Sequence, residues 1–326
     1  MPPRAPEFWR RDGRAARLLA PLAAVYDAAV AARFAHAKPV RAGVPVICVG
    51  NLTLGGAGKT PVAIALAKRL AARGIEFHFL SRGYGGRFRG PLLVDAARHD
   101  ARDVGDEALL LARVAPCWVA RDRPAGARAA VKSGAQAILM DDGLQNPSLA
   151  KDWSLLVLDG GYGLGNGRVL PAGPLREQAA RGLARADAVV VMGEDETGLA
   201  GLCAGKTVLS ARLAPVDPAK FRDRAVVAFA GIGRPEKFFR SAEEAGARLV
   251  IRRAFADHHR YHASELHQLM LLARGTKAAL LTTEKDWVRL PLAWRAQVDF
   301  LPVEVEWREP ATLDTLLDSV LKRAHG

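Results

Sequence analysis

A glycine-rich turn between a predicted strand and a predicted helix is the feature that most constrains this chain. The apolar stretch 46–49 leads into the turn, and an alanine- and leucine-rich segment follows it. Glycines let backbone N–H groups approach a phosphate, and the helix N-terminus adds the positive end of its dipole. This order of elements predicts a cradle for nucleotide phosphates, made by Thr53, Leu54, Gly55, Gly56, Ala57, Gly58, Lys59 and Thr60.

Two side chains at the end of the cradle carry its chemistry. Lys59 is expected to reach the β- and γ-phosphates, and the Thr60 hydroxyl is expected to face Mg²⁺. Thr53 stands where the pattern G-x-x-x-x-G-K-[ST] has its first glycine. An ordinary glycine turn before a helix is the alternative. The register of strand, Gly-Lys-Thr and helix favours phosphate binding.

A second predicted strand ends in two acids. The apolar residues 137–140 are followed by Asp141 and Asp142. A buried strand that delivers carboxylates at its carboxyl end can orient Mg²⁺ or its waters opposite the Thr60 hydroxyl. Alone, such acids also fit a turn or a helix cap. Together with the Gly-Lys-Thr upstream they predict phosphoryl transfer or nucleotide hydrolysis, with ATP and Mg²⁺ as cofactors.

The charge of the chain limits its partners. The 326 residues suffice for two domains and carry a net charge of +13, which attracts nucleic acid, an anionic membrane surface or a phosphorylated substrate. There is no lysine-rich tail or basic–aromatic repeat, so we expect no nucleic-acid partner, and nothing in the sequence indicates a protein partner. The three cysteines, Cys48, Cys117 and Cys203, lack the spacing of a zinc site or a disulfide framework.

Arginines flank an apolar segment near the N-terminus. Residues 18–26 are mostly apolar, several arginines precede them, and Arg33 follows. The run is too short to span a bilayer, and Pro21 and Asp27 interrupt it. An arginine-flanked helix of this kind can lie in the headgroup region of an anionic leaflet. A plain amphipathic helix packed on the domain is the other interpretation, and the sequence leaves both open.

Predicted strands and helices alternate along the rest of the chain. Strands are predicted at 75–80, 91–94, 117–120, 137–140, 154–158 and 188–191, with helices at 62–73, 108–114 and 124–133. After a connector at 211–223 the pattern restarts, and a strand at 300–305 and a helix at 313–323 close the chain. Alternation predicts a two-lobed α/β fold, in which a P-loop NTPase-like parallel-sheet domain precedes a smaller C-terminal α/β domain. The predicted domains are an N-terminal helix at 1–40, the P-loop domain at 41–210 and the second α/β domain at 211–326.

Further candidate groups lie at predicted loops. Asp106 begins a predicted helix at the expected carboxyl edge of the sheet, where it either caps the helix or acts on the acceptor. His258 and His259 belong to a histidine cluster without a fourth zinc ligand. This cluster is either a solvated polar loop or the source of a histidine that assists proton removal from an alcohol. Loop arginines are phosphate-binding candidates, each with a surface charge as its alternative: Arg82, Arg87, Arg123 and Arg176.

A series of sequence blocks occurs in one order over nearly the whole chain. The blocks are VGNLTLGGAGKTP (49–61), SRGYGG (81–86), VGDE (104–107), DDGLQN (141–146), GNGRVLPAGPLRE (165–177), AGIGRPE (230–236), FADHH (255–259) and LTTEKD (281–286). In these blocks the chain closely resembles the tetraacyldisaccharide 4'-kinases of lipid A biosynthesis. The resemblance implies transfer of the ATP γ-phosphate to the 4'-hydroxyl of a tetraacylated glucosamine disaccharide 1-phosphate, which gives lipid IVA.

The same resemblance implies partners, a location and the residues that bind the nucleotide. The partners are the acylated disaccharide-1-phosphate lipid and an anionic membrane surface. The location is the cytoplasmic face of the inner membrane, with peripheral or monotopic attachment through the N-terminal helix. Lys59 and Thr60 would hold the triphosphate and Mg²⁺, and Asp141 and Asp142 would be the metal-side acids.

Catalytic and lipid-side roles are implied as well. Asp106 with His258 resembles the family's proton-abstracting pair, although the choice between His258 and His259 stays open. Arg176 and Glu177 resemble a pair that closes the site. The implied lipid-side contacts are Arg82, Arg123 and Gln145.

Two other functions remain as alternatives. One is a switch-type P-loop ATPase or GTPase with a protein partner, but the partitioning type needs a lysine directly before Gly55, where Leu54 stands. The other is a nucleic-acid-binding module that uses the positive charge. No groove-reading or stacking motif supports it.

Overall fold

Strands and helices alternate along most of the chain in the computed structural model, which describes residues 6–325. Within these residues the strands are β1 (Val46–Gly50), β2 (Phe77–Ser81), β3 (Leu92–Leu93), β4 (Cys117–Val119), β5 (Ala137–Asp141), β6 (Trp153–Asp159), β7 (Ala188–Met192), β8 (Thr207–Pro215), β9 (Ala225–Ala230), β10 (Arg248–Ala254), β11 (Ala279–Thr283), β12 (Asp299–Leu301) and β13 (Val303–Trp307). The α-helices are α1 (Arg14–Leu18), α2 (Ala20–Ala35), α3 (Lys59–Ala72), α4 (Ala101–Val104), α5 (Asp106–Ala112), α6 (Arg123–Lys132), α7 (Ala179–Ala184), α8 (Leu199–Leu202), α9 (Pro235–Glu244), α10 (Ala263–Gly275), α11 (Glu284–Trp287), α12 (Leu292–Arg295) and α13 (Pro310–His325).

A nine-stranded sheet forms the first lobe, in the order β13-β8-β7-β6-β1-β5-β2-β4-β3. Its neighbours pair in parallel except at the two edges, β13–β8 and β3–β4. Leu66 of α3 packs with Ile47 on one face, and Ala127 of α6 packs with Cys48 on the other. Because helices cover both faces, the central strands are apolar throughout, as the sequence shows.

The position of β1 determines where the site forms. This strand lies between β5 and β6, and Val49 pairs with Asp141. Parallel strands present their carboxyl ends at one edge of the sheet, so the loops after β1 and β5 emerge side by side. The glycine-rich turn and the two acids are therefore neighbours.

The second lobe contains a smaller parallel sheet, in the order β10-β9-β11-β12. Phe239 of α9 contributes to the core on one face, and Leu266 of α10 contributes to the core on the other. The loop after β10 carries His258, and helix α11, which directly follows β11, carries Lys285. The two-lobed α/β class predicted from the sequence is confirmed.

Two predictions about the connection between the lobes are wrong. The predicted connector 211–223 begins inside β8, which continues to Pro215 in the large sheet. The predicted strand 300–305 is two strands: β12 belongs to the small sheet, and β13 pairs antiparallel with β8. Pro302 lies between them, and its missing N–H interrupts a continuous ladder.

The predicted domains, 1–40, 41–210 and 211–326, stay a proposal. The chain passes from the large sheet to the small one after β8 and returns through β13. Helix α13 then packs on the large sheet, where Leu313 and Leu317 join its core. Two segments of chain therefore link the lobes.

The N-terminal helices lie against the first lobe. The buried carboxylate of Asp27 in α2 pairs with Arg181 and accepts the backbone N–H of Gln178 at 3.2 Å. The guanidinium of Arg185 lies 4.1 Å from the ring centroid of Phe34. No helix within residues 6–325 combines the length and the apolar character that crossing a membrane requires. Residues 1–5 of the predicted N-terminal domain lie outside the described residues.

Gly126 in α6 tests how closely the helices pack on the large sheet. A Cβ here would lie 2.6 Å from both the Ala120 Cβ and a Leu80 Cδ atom. We expect Gly126→Ala to lower the free energy of unfolding, measured by urea denaturation, by about 1–3 kcal/mol despite the better helix propensity of alanine. The matched control is Gly201→Ala in exposed α8, where a Cβ meets nothing within 4 Å. Equal losses in the two variants would contradict close packing at Gly126.

Candidate active site

The predicted phosphate cradle connects β1 to α3. Gly55 and Gly58 have φ values of 110° and 91°, which L side chains rarely adopt. The amide of Asn51 donates to the Thr53 carbonyl at 2.7 Å, and the Leu54 N–H donates to the Pro174 carbonyl at 2.9 Å. These two bonds hold the loop from both sides. A Cβ at Gly55 would meet nothing within 4 Å, so its positive φ and not crowding is what favours glycine at this position.

The end of the cradle lies against the two acids. The Thr60 hydroxyl donates to Asp141 Oδ2 at 3.0 Å, and the Lys59 ammonium lies 3.9 Å from Asp142 Oδ1. The other oxygen of Asp141 is buried and has no hydrogen-bond partner among the described residues. Burial, then the carboxylate of Glu107, raise the pKa of Asp141. A divalent cation is the partner that such an oxygen lacks, so the residues present fit Mg²⁺.

Arg176 closes this group from the loop after β6. Its Nη1 donates to both oxygens of Asp142, at 2.8 and 2.9 Å. Burial alone would raise the pKa of Asp142, but Lys59 and Arg176 lower it to about 2. Asp142 is therefore ionised at neutral pH. Its φ of 54° shows that the chain turns sharply directly after β5.

Glu177 has a different environment from Arg176. It is fully buried, pairs with Arg185 and accepts the Gln145 amide at 3.0 Å. The Gln145 amide also donates to the Asn51 carbonyl at 3.0 Å. Glu177 therefore fixes Gln145 and the start of the cradle. Both N–H groups of Gln145 have partners, and its oxygen accepts from Arg176 Nη1 at 3.4 Å. Only the second lone pair of that oxygen therefore remains for a lipid contact.

Asp106 and His258 meet across the boundary between the lobes. Asp106 is the buried first residue of α5, and its Oδ1 accepts the Glu107 N–H at 2.9 Å. His258 Nδ1 lies 2.9 Å from Asp106 Oδ2. His258 has a φ of 55°, and its N–H donates to the Gly231 carbonyl at 3.0 Å. The structure thus brings together two residues that are 152 positions apart in the sequence.

The neighbouring histidine points elsewhere. His259 stacks on Phe255 with ring centroids 4.6 Å apart, and its Nε2 lies 3.0 Å from Glu265 Oε2. His258 contacts the Tyr84 ring instead, at 5.5 Å between centroids. Of the two histidines that the sequence left open, His258 is the one in contact with Asp106.

Glu107 and Lys285 connect the Asp106 group to the cradle. Lys285 Nζ lies 3.0 Å from Glu107 Oε1 and 4.0 Å from Asp106 Oδ2. Lys285, and to a lesser degree Lys59, lower the pKa of Glu107 despite its burial. Acidic and basic side chains therefore alternate between the cradle and Asp106.

The second lobe also touches the cradle through its backbone. A Cβ at Gly233 would lie 3.1 Å from the Gly56 nitrogen and 3.3 Å from an Asp257 oxygen. A side chain at this position would crowd both neighbours. The turn after β9 thus packs on the turn after β1.

The two candidate lipid-side arginines differ in exposure. Arg82 is exposed and lines a cavity of about 300 Å³. The cavity is formed by Arg82, Gly83, Tyr84, Gly85, Gly86 and Arg121. Arg123 is buried, donates to the Ala120 carbonyl, and has an Nε without a partner among the described residues. Burial, then repulsion from Arg82, lower the pKa of Arg123 to about 10. Both features suit a guanidinium that an anion would complete.

Sequence reasoning missed several buried charges at this site. Glu107 and Lys285 lie in the VGDE and LTTEKD blocks, but the sequence analysis predicts no role for either residue. Asp286 ends the second block, and Arg289 follows it. Arg289 carried no signal, because an arginine after a short helix is an ordinary surface pattern.

A family model for "Tetraacyldisaccharide-1-P 4'-kinase" matches residues 15–322. The chain belongs to this family. Two relatives with the name "Tetraacyldisaccharide 4'-kinase" align over 98% of this chain: the one from Paramagnetospirillum magneticum at 55% identity over 100% of its own length, and the one from Rhodospirillum rubrum at 54% over 98%. The family membership predicted from the sequence blocks is confirmed.

A solved structure of a family member shares the fold. It is the "apo" form of LpxK from Aquifex aeolicus in complex with ATP. The match has a TM-score of 0.76 and 25% sequence identity, and it covers 94% of this chain and 100% of the other. The match extends over both lobes, so this chain and the Aquifex protein share the two-lobed fold.

Asp106→Asn tests the charge balance at the lobe boundary. Burial alone would raise the pKa of Asp106, but Lys285, the His258 hydrogen bond and Arg289 hold it well below its usual range. The ionised carboxylate therefore stabilises the fold above the unfolded pKa of about 3.9, and this stability is lost as the pH falls toward the native pKa. We expect the variant to lose about 3–5 kcal/mol at pH 7, because Arg289 and Lys285 each lose one of their two carboxylate partners in a buried cluster.

Urea denaturation at several pH values measures this effect. The difference between wild type and Asp106→Asn should shrink by about 1.4 kcal/mol for each unit below pH 4. Asp299→Asn, which breaks an exposed pair with Arg224, is the control and should cost less than about 1 kcal/mol. A pH-independent difference for Asp106→Asn would contradict the charge assignment.

Proposed function

We propose that this chain is a tetraacyldisaccharide 4'-kinase, which transfers the γ-phosphate of ATP to the 4'-hydroxyl of an acylated glucosamine disaccharide 1-phosphate in lipid A biosynthesis. One observation carries the proposal: a triphosphate cradle with two acids on the first lobe adjoins an acid–histidine pair that the second lobe completes. Membership of the kinase family supports it, as do the relatives' name and the ATP complex of the Aquifex protein.

The cradle and its acids bind the nucleotide. Backbone N–H groups of the glycine-rich turn surround the phosphates, except those of Leu54 and Ala57, which donate to the Pro174 and Gly55 carbonyls. Lys59 neutralises the β- and γ-phosphates. Thr60, Asp141 and Asp142 would hold the Mg²⁺ ion, which would supply neutralisation of phosphate charge when bound. Arg176 keeps the Asp142 carboxylate oriented through its two hydrogen bonds.

The Asp106–His258 pair acts on the acceptor. The proton of the sugar hydroxyl passes to the pair as the oxygen attacks the γ-phosphorus. The bond from that phosphorus to the β–γ bridging oxygen breaks, and ADP leaves. A positioned base accounts for roughly 10²–10⁴-fold of the rate, and positioning together with charge neutralisation supplies most of the rest.

The lipid binds beside this pair. Arg82 and Arg123 provide guanidinium groups for the anionic part of the substrate, and the cavity at Arg82 adjoins Tyr84, whose ring touches His258. The oxygen of Gln145 is a further polar contact. Glu177 supports Gln145 from behind and does not contact the substrate itself.

Transfer of label from γ-labelled ATP to a disaccharide-1-phosphate lipid in detergent tests the proposed function. We expect labelled lipid with wild type and none above background with Lys59→Ala or Asp142→Ala, since each removes charge from the triphosphate site. Lys132→Ala, which changes an exposed lysine at the end of α6, is the control and should keep full activity. ATP hydrolysis that does not respond to lipid would instead favour a nucleotide-dependent switch.

We also propose that α1 and α2 attach the enzyme to an anionic membrane surface, at the cytoplasmic face of the inner membrane. Leu18, Leu22 and Val25 are 80%, 59% and 69% exposed, and their spacing places them on one side of the helical segment. Arg14 and Arg17 stand beside this apolar side. An apolar stripe bordered by arginines suits the headgroup region. The contacts of Asp27 in α2 hold these helices against the first lobe.

Sedimentation with vesicles of anionic phospholipid tests the attachment. We expect the double change Leu22→Asp and Val25→Asp to lower the partition coefficient at least about tenfold, because it removes the burial of two apolar side chains. Leu271→Asp in α10, where the leucine is 67% exposed on the second lobe, is the control and should bind like wild type. Equal binding of all three proteins would contradict the proposal.

A further inference from the structure

Two buried charges lie directly behind Asp106 and have no role in the chemistry proposed above. Asp286 is in α11 and Arg289 follows it, and their side chains are 0% and 5% exposed. The Nε of Arg289 donates to Asp106 Oδ2 at 2.6 Å. This bond joins residues 183 positions apart and crosses from the second lobe to the first.

We propose that Arg289 is a positioning residue for the Asp106–His258 pair, and that Asp286 is the anchor that orients Arg289. The inference rests on the proposed kinase function and deepens it. It assigns to the second lobe the task of fixing the carboxylate as well as supplying the histidine. Arg289 acts through Asp106 and does not touch the substrate.

Asp286 is held by donors from three separate segments. Its Oδ1 accepts the Gly231 N–H at 3.0 Å and the Tyr261 hydroxyl at 2.7 Å. Its Oδ2 accepts the Thr283 hydroxyl at 2.6 Å. Gly231 follows β9, Tyr261 lies in the loop after β10, and Thr283 is the last residue of β11. Three segments of the second lobe therefore hold this carboxylate in place. A carboxylate held in this way has little freedom to rotate.

The orientation of the Arg289 guanidinium depends on the position of the Asp286 carboxylate. Its Nη1 donates to Asp286 Oδ1 at 2.9 Å and to the Gly231 carbonyl at 2.7 Å. A guanidinium is rigid and planar, so fixing one edge also fixes the direction of its Nε–H. That N–H is the one that reaches Asp106.

The carbonyl of Gly231 accepts hydrogen bonds from both residues that contact Asp106 Oδ2, His258 and Arg289. The Gly231 carbonyl that accepts from Arg289 also accepts the backbone N–H of His258, at 3.0 Å. A Cβ at Gly231 would lie 2.9 Å from the His259 Cβ and 3.0 Å from Asp286 Oδ1, so a side chain here would disturb both. His258 and Arg289 therefore reach the same carboxylate oxygen from a common support.

The charges around Asp106 explain what this support achieves. Four groups face the carboxylate: Glu107 from its own helix, His258 from the loop after β10, and Lys285 and Arg289 from α11 and just beyond. Burial alone would raise the pKa of Asp106, but the cations and the His258 hydrogen bond lower it, so the carboxylate stays ionised. An ionised carboxylate accepts from the Nδ1–H of His258 and leaves Nε2 as the basic nitrogen.

A purely structural ion pair is the competing explanation. In that case loss of Arg289 lowers stability and leaves the chemical step unchanged. The buried Nη2 of Arg289 has no hydrogen-bond partner among the described residues, which costs stability. The experiment must therefore separate turnover from folding.

Steady-state kinetics of Arg289→Ala and Arg289→Lys with ATP and the disaccharide-1-phosphate lipid test the inference. We expect kcat to fall roughly 10²-fold in both variants, with the dissociation constant for ATP unchanged within about threefold. In Arg289→Ala, added guanidinium should restore part of kcat, and the acid limb of the kcat profile should move to higher pH because Asp106 loses a cation. Lysine keeps the charge but lacks the fork that spans Asp286 and Asp106.

The matched control is Arg295→Ala. Arg295 is half-buried in the same region and donates to the Leu290 and Val288 carbonyls. Arg295→Ala should lower the free energy of unfolding about as much as Arg289→Ala does, and it should keep the wild-type kcat. Thermal unfolding and ATP binding establish that each variant is folded, and Arg289→Lys carries the test if Arg289→Ala does not fold.

The outcomes separate this inference from the proposed function. An active wild type beside a folded Arg289→Ala or Arg289→Lys with unchanged kcat overturns the positioning role alone. An unchanged pH profile together with no response to guanidinium in Arg289→Ala also overturns it. A wild type that never labels the lipid overturns the kinase proposal, and the positioning role with it.

Discussion

The parallel pairing of β1 with β5 is the constraint on which the candidate site depends. Because Val49 pairs with Asp141, the turn that cradles phosphates and the turn that carries two acids leave the sheet at one edge. The 3.0 Å contact between Thr60 and Asp141 is a consequence of that register. A shift by one residue would turn Asp141 to the opposite face of the sheet. Helices pack on both faces of these strands, so the register is strongly specified.

The second lobe supplies charged and polar side chains that complete the site. Asp106 and Glu107 stand on the first lobe, and His258, Lys285 and Arg289 meet them from the second. Each buried charge would be costly alone, and each is compensated by a partner across the boundary. The contacts that hold the lobes together are therefore the same contacts that orient the Asp106–His258 pair. Stability and chemistry cannot be separated here except by measuring turnover and unfolding in the same variants.

The sequence predicts what is local and leaves out what is distant. The cradle and the acids were predictable because each lies in one contiguous stretch and the rules of parallel sheets bring the stretches together. Asp106 and His258 each had an ordinary alternative from the residues alone, and only the family resemblance paired them. Arg289 could not be found, because its role comes from a contact across 183 positions. No periodicity or spacing records such a contact.

The error at β8 and β13 has the same physical origin and bears on the site. An antiparallel edge pair between segments about ninety residues apart leaves no local pattern beyond weak alternation, so 211–223 resembled a linker. The Val216 N–H donates to the Pro302 carbonyl at 2.9 Å, so the two crossings between the lobes lie side by side. Asp106 of the first lobe contacts both His258 and Arg289 of the second. A separation of the lobes would therefore break both contacts together, so the pairing of the acid with its two partners depends on how the crossings hold the lobes.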